Sequence, residues 1–392
     1  MKSVRIEDIC QRITSGGTPS RKRDDYYDVK PGGHLWVKSK ELLDTSISET
    51  EEHISDLGLK GSSAKYLDAR TVLVAMYGAN VGQLGWLRKP ATVNQAICGI
   101  TTDPAKADYR WLFYALMHHR YRLIAMAQGA AQQNISDQLI KAFELTVPPL
   151  PTQRRISSIL STYDDLIENN TRRIAILEEM ARRLYEEWFV HFRFPGHEKV
   201  EFDGELPTGW QPSTVKESVE RFTTGKKFDQ KTVKTAGSVP VFDQGKTGII
   251  GYHDEEPGFQ ASWDDPVIVF ANHTCYQRLV MFPFSSIQNV IPFKSSTQFP
   301  RNIYWLHHAT VGLVELNDYK GHWPQFAAKE ISIPPAELTD EFGSKVAPLH
   351  KQVRLLQQKN ANLRAQRDLL LPKLVSGEID VSVAEAALEA AE

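Results

Sequence analysis

No apolar run in this chain reaches the roughly 18 consecutive residues that a membrane-spanning helix needs. The N-terminal stretch MKSVRIEDICQRI lacks an uninterrupted apolar core, so no signal peptide is expected and the cytoplasm is the expected location. The glycosylation sequons at Asn134 and Asn169 are then chance matches. Cysteine is scarce. Cys10, Cys98 and Cys275 are far apart and odd in number, which argues against a disulfide framework and against a zinc site. Net charge is small as well. The 46 Lys and Arg against 48 Asp and Glu leave −2, which argues against a protein that coats nucleic acid along its whole surface but leaves room for a local basic face.

Catalytic signatures are missing too. There is no HExxH, no CxxC and no glycine-rich dinucleotide fingerprint after a strand. GKT at Gly245 looks like the end of a phosphate-binding loop, but that loop needs a glycine where Pro240 stands. Adjacent histidines on a helix point in different directions, so neither His118–His119 nor His307–His308 is expected to share a metal. The Asn-Pro-Pro-aromatic or Asp-Pro-Pro-aromatic tetrad with which amino-methyltransferases hold a flipped base is absent. The chain is therefore expected to catalyse nothing itself and to hold no metal.

What is present is a repeat. The 392 residues suffice for two or three domains with real cores. One half ends FELTVPPL and the other KEISIPPA. Upstream stand an Asn-Gln and a Gln-Asn inside apolar stretches, ATVNQAICGI and SSIQNVIPF, followed by the amphipathic segments YRWLFYALMHH and RNIYWLHHA. These pieces keep their order at an offset of about 190 residues, which chance does not explain. RTVLVAMYGANVGQLGW and DPVIVFANHTCYQRLVMF mix β-branched and aromatic residues with turn formers, and PVFDQGKTGIIGYHD predicts a strand, a glycine turn and a second strand. Each half is expected to be an α+β globule.

After each Pro-Pro the spacing predicts a long helix. Ile156, Leu160, Tyr163, Ile167, Asn170, Ile174, Leu177, Ala181, Leu184 and Trp188 step by four and three in alternation. Phe342, Val346, Leu349, Val353, Leu356, Asn360, Leu363, Arg367, Leu370 and Leu374 do the same. A period held this long favours a coiled-coil seam over a helix packed only on its own domain. The first helix delivers the chain to the second globule, and the second helix can pair with it only by running back. Placing Ile156 opposite Leu374 sets Asn170 against Asn360 and Tyr163 against Arg367, so these four residues are the candidates for fixing register. The expected architecture is two similar α+β domains separated by an antiparallel two-helix coiled coil, with pseudo-two-fold symmetry. Its expected boundaries are a first domain at 1–150, a helix at 151–197, a second domain at 198–336, a helix at 337–380 and a tail at 381–392. A helix of about 37 residues spans about 55 Å at about 1.5 Å per residue. That is on the order of 16 base pairs at about 3.4 Å each, which suits a target read at two separated half-sites.

Candidate nucleic-acid contacts follow from charge and amide content. Arg221, Lys226, Lys227, Lys231 and Lys234 face one acid, Asp229, in their stretch. TSGGTPSRKR joins a Gly-Gly turn to Arg21, Lys22 and Arg23, although two acids follow at once. Gln132, Gln133 and Asn134 carry amides able to read adenine edges, and Gln244, Asn272, His273 and Arg278 are similar candidates in the second half. An ordinary solvated loop is the alternative for each.

The segment VPPLPTQRRISSILSTYDDLIENNTRRIAILEEMARRLYEEWFVHFRFPG closely resembles the central region of type I restriction–modification specificity subunits. TSGGTPSRK, HLWVKSKEL, VAMYGANVGQLG, ATVNQAI and QGAAQQNIS resemble that family's first target recognition domain. PVFDQGKTGIIGYHD and LLLPKLVSGEI resemble the opening of its second domain and the end of its second helix. The resemblance spans nearly the whole chain. Domain two departs from domain one, with ANHTCY in place of YGANVG and HWPQFAAKE in place of QQNISDQ.

The resemblance implies that each recognition domain reads one part of a split, asymmetric DNA sequence, and it adds Thr18, Lys38, Tyr77 and Lys246 to the DNA-binding candidates. It implies helices that set the gap and dock two methyltransferase subunits, which methylate adenine with S-adenosylmethionine. It also implies an optional pair of motor–nuclease subunits that use ATP and Mg to cleave unmodified DNA. This chain itself would hold no cofactor. Arg172, Arg173, Arg182, Arg183 and Trp188 are docking candidates on the exposed faces of the helices. The rivals are a fused nuclease–methyltransferase, a coiled-coil adaptor that binds protein at both heads, and a specificity subunit serving modification only.

Overall fold

The computed structural model describes residues 2–28, 32–126, 134–223, 226, 228–245, 248–317 and 321–381. The chain is mixed α+β and divides into two compact units, residues 1–169 with 359–392, and residues 170–358. Gln132, Gln133, Lys227 and Lys246 lie outside the described residues.

In the first unit the apolar strand Val72–Ala75 sits inside a five-stranded sheet. The order is Cys10–Ser15, Ile97–Thr102, Val72–Ala75, Leu84–Leu87, Thr45–Ile47; the last pair is parallel and the others antiparallel. A second sheet places Ala91–Val93 parallel to His34–Val37. The helix Tyr109–His118 buries Trp111, Leu112, Phe113, Tyr114, Ala115 and Leu116 against the first sheet.

The second unit repeats the order of four strands: Val219–Arg221, Val290–Ser295, Val267–Ala271, Gln277–Val280, all antiparallel. Its second sheet again carries a parallel pair, Val239–Phe242 with Ser285–Ser286, and the expected hairpin from Val239–Phe242 to Ile249–His253. Gly248 has φ +81° in that turn, a conformation glycine adopts without steric penalty. The helix Ile303–Thr310 matches Tyr109–His118. The repeat read from the sequence is thus a repeat of topology.

Each Pro-Pro is a joint between a strand and a long helix. Glu144–Val147 precedes the central helix, Leu150–Tyr185, and Glu330–Ile333 precedes the C-terminal helix, Ala336–Ser376. Proline supplies no amide donor and breaks the strand, yet it is tolerated in a helix's first turn. The buried Gln153 closes the first joint. Its amide donates to the carbonyls of Pro148 and Lys106, and its Oε1 accepts the Asp108 amide N–H at 2.9 Å. Asp108 in turn caps the helix Tyr109–His118 by accepting from the Trp111 amide N–H. In the second joint the Thr339 hydroxyl accepts the Asn302 amide N–H at 3.2 Å, and Asn302 caps Ile303–Thr310. Gly343 makes room there, because a Cβ would lie 2.3 Å from Asn302 Cγ. Gly343→Ala gains about 1 kcal/mol of helix propensity but overpacks the cap at a cost of about 1–3 kcal/mol, so urea unfolding should show net destabilisation or none gained.

Within the first unit the two helices run antiparallel. Arg367 pairs with Asp164 at 2.6 Å, and Ile156, Leu160, Leu371 and Leu374 share one core. The pairing is displaced by one residue from the expected Tyr163–Arg367. Arg367 takes the neighbouring carboxylate because a buried guanidinium needs a charge partner. Asn360 is buried and donates to the Ile167 carbonyl at 3.4 Å. Within the second unit the helices also run antiparallel, with Phe342 packed against Tyr185 and Trp188 at ring separations of 6.2 and 6.0 Å. Asn170 is buried there. The central helix ends in a π-helical turn, Glu186–Val190, rather than running to residue 197.

The helix layer of the second unit holds a half-buried histidine pair, with His308 Nε2 3.0 Å from His350 Nε2. Burial pushes His308 down to about 3 and His350 to about 4. Both stay neutral in the fold, while the unfolded chain protonates them below about 6.5. The unfolded state then binds more protons, so stability falls as pH drops from about 6.5 toward about 4, by up to about 1.4 kcal/mol per pH unit for each histidine. The urea midpoint should accordingly be lower at pH 5 than at pH 7. An unchanged midpoint would mean that the pair is not held neutral.

Among the described residues no helix is long and apolar enough to cross a membrane, and no group of three or more His, Cys, Asp or Glu is placed to hold a metal ion.

Candidate nucleic-acid interface

In both units loops from corresponding strand ends converge. In the first, Gly17 N–H bonds the Val93 carbonyl at 3.0 Å, which draws the chain after Cys10–Ser15 onto the chain after Ala91–Val93. Gly16 permits this approach, since a Cβ there would lie 2.0 Å from the Val93 carbonyl oxygen. The Thr18 hydroxyl then bonds Gln95. Tyr77 also bonds Gln95; burial, the larger effect, raises its phenol pKa and that bond opposes the rise. Ile135 N–H bonds the Met76 carbonyl at 2.7 Å, bringing the exposed Asn134 beside Tyr77. Thr18, Tyr77, Gln95 and Asn134 thus share one loop cluster.

The basic candidates of this unit are mostly neutralised. Arg21 pairs with Glu52 at 2.7 Å, with its guanidinium 4.2 Å from the Tyr27 ring centre. Arg23 pairs with Asp25 at 2.6 Å, and that hydrogen bond holds the Asp25 carboxyl below its usual pKa. Lys38, half-buried, lies 2.7 Å from Glu52 and 3.2 Å from Glu51. Among the described residues Lys22 keeps no carboxylate partner and is exposed.

In the second unit several candidates prove to position the loops. Gln244 spends its amide on His273, accepting the backbone N–H at 2.7 Å and lying 3.1 Å from Nδ1. Asn272 Oδ1 accepts the Trp323 amide N–H at 2.7 Å. Arg278 is held on the turn after Gln244, where it donates to the Gly245 carbonyl at 2.7 Å, and it also lines a cavity. Lys226 pairs with Glu255 at 2.5 Å. Lys231 is exposed with no carboxylate partner among the described residues.

Gln95 and Gln288 are absent from the candidates named from charge and amide content. Arg221 is among them, as one of five charges. It lies over the Trp323 ring at 4.6 Å and lines a groove of about 760 Å³ with Thr223, Asn272, Gln288 and Asn289. Gln95 and Gln288, both exposed, belong to the paired Asn94–Gln95 and Gln288–Asn289 that had marked the repeat. Polar amides recurring inside apolar stretches were the signal for a shared surface. Side chains that bear amides, a cation and an aromatic face can bond base edges, phosphates and stacked rings.

On the helices, Arg172 and Arg173 are exposed. Arg182 pairs with Glu179 and Glu186, and Arg183 with Glu179 at 2.6 Å. Trp188, expected on an exposed docking face, is only 6% exposed. The π-helical turn swings it into the core against Phe189 and Phe342.

A family model described as type I restriction modification DNA specificity domain matches residues 1–179. The chain is 25% identical over 415 residues to the type I restriction enzyme MjaIX specificity subunit of Methanocaldococcus jannaschii, covering 96% of this chain and 93% of that one. It is 25% identical over 243 residues to a putative type I specificity subunit of Mycoplasma genitalium, covering 62% of this chain and 60% of that one. The fold is similar to the crystal structure of a type I restriction–modification S subunit from M. genitalium, with TM-score 0.59, 17% identity and 95% of each chain covered.

Proposed function

The chain belongs to the type I restriction–modification specificity-subunit family, and we propose that each of its units reads one part of a bipartite, asymmetric DNA target. The observation that carries this reading is the duplication of one sheet order with one loop cluster, around Gln95 in the first unit and around Gln288 and Arg221 in the second. One exposed amide at each cluster suits base-edge contact, and Lys22, Arg221 and Lys231 suit phosphate contact.

The central and C-terminal helices set the gap between the two parts of the target. They dock two methyltransferase subunits that methylate adenine with S-adenosylmethionine, through exposed arginines such as Arg172 and Arg173. Motor–nuclease subunits that use ATP and Mg are an optional addition to the same assembly. This chain supplies sequence recognition and no catalysis, and it works in the cytoplasm. Inserting about four residues, one helical turn, into both helices should lengthen the gap in the methylated motif and leave each half-sequence alone. Sequencing for N6-methyladenine checks this, and an unchanged gap would contradict it.

A further inference from the structure

The two units differ at one edge of their main sheets. In the first unit Thr45–Ile47 covers the outer side of Leu84–Leu87, paired parallel with Ser46 opposite Trp86. Beneath it lies a balanced charged layer. Arg88 donates to the Ser46 hydroxyl at 2.8 Å and pairs with Glu168. The Tyr114 hydroxyl donates to Asp164 at 2.5 Å.

In the second unit the matching strand, Gln277–Val280, is the last of its sheet, and among the described residues no strand pairs with its outer side. The layer beneath is recast. The shared Trp-Leu of the short helices and the shared Pro-Pro joints align the units: His308 stands in place of Tyr114, His350 in place of Asp164 and Arg354 in place of Glu168. A carboxylate has become a guanidinium just where the covering strand is missing.

The result is a cavity of about 450 Å³ walled by that edge strand, Arg278, Arg354, His308 and His350. Neither arginine has a carboxylate within ion-pair distance among the described residues, and Glu178, which also lines the cavity, pairs with neither. Arg354 rests on the Phe282 ring at 4.0 Å, and its Nε is buried without a hydrogen-bond partner. Burial lowers the pKa of both guanidiniums. Uncompensated positive charge beside unpaired strand edge favours a ligand that brings both backbone hydrogen bonds and a carboxylate.

We propose that this edge docks an extended, acidic segment of a partner protein, which adds a strand beside Gln277–Val280 and sets a carboxylate on Arg354. The first unit shows the completed form with its own strand. This docking does not depend on the DNA-reading function.

The probe is a fluorescein-labelled peptide copying the chain's own covering strand, Asp44–Glu49, with Glu in place of Ser46. A second peptide carries Lys at that position. On the full chain the Glu peptide should bind at least about tenfold tighter than the Lys peptide, and Arg354→Glu should reverse the preference. Amide hydrogen exchange at Gln277–Val280 should slow when the Glu peptide binds. Equal binding of the two peptides would overturn the proposal, and this comparison needs no variant. Arg354→Gln serves where the charge reversal fails to fold, and should bring the two affinities together. If inorganic phosphate occupies the cavity while neither peptide slows exchange at the edge strand, the site takes small anions and the proposal is wrong.

Discussion

Phe342→Ala should lower the unfolding free energy by about 3–5 kcal/mol. Phe342 is fully buried, and its ring meets those of Tyr185, Trp188, Phe189 and His308 at centroid separations between 5.2 and 6.2 Å. Four rigid rings around one site cannot collapse into the space left behind, so the cavity cost adds to the lost transfer energy. The same substitution at Ile176, 59% exposed on the central helix, should cost within about 0.5 kcal/mol. Urea unfolding followed by tryptophan fluorescence separates the two. Equal effects would mean that the long helices only lie on the second unit, whereas the structure makes them part of its core.

Gln95→Ala, in a complex with the proposed methyltransferase partner, should weaken discrimination at one part of the DNA target by about 1–3 kcal/mol, roughly fivefold to 150-fold, while the other part keeps its specificity. Gln288→Ala should do the converse. Arg221→Ala should behave differently, weakening binding of all sequences alike and reducing its salt dependence by about one phosphate contact. Affinity measured on targets with single substitutions in each half, at two salt concentrations, tests all three. Loss at both halves from either glutamine variant would show that the units do not read separately.

The topology was legible because it rests on local signals. β-Branched runs gave the strands, the Pro-Pro pairs gave the helix starts, and the four-three alternation gave the antiparallel seam within one residue of the observed pairing. The site was less legible because charge pairing is not local. Lys38 reads as a cation in its own stretch, yet it is neutralised by Glu51 and Glu52 on the chain leading into the neighbouring strand His53–Ile54. Arg278 is committed by the fold in another way, its guanidinium held on the Gly245 carbonyl at the wall of a cavity. The heptad count puts Trp188 on the seam and the family resemblance puts it on a docking face; the π-helical turn leaves it only the seam. Gln153 and Thr339, which close the two joints, are ordinary polar residues in the sequence and gain their role only beside Asp108 and Asn302.

The central claim is that one chain carries two separate readers of one split DNA target. The most direct measurement is the methylome of a host lacking adenine methylation that expresses this chain with its proposed methyltransferase partner. The account predicts one new N6-methyladenine motif, made of two half-sequences with a fixed gap. A continuous motif, or no new methylation from a complex shown to assemble, would contradict it.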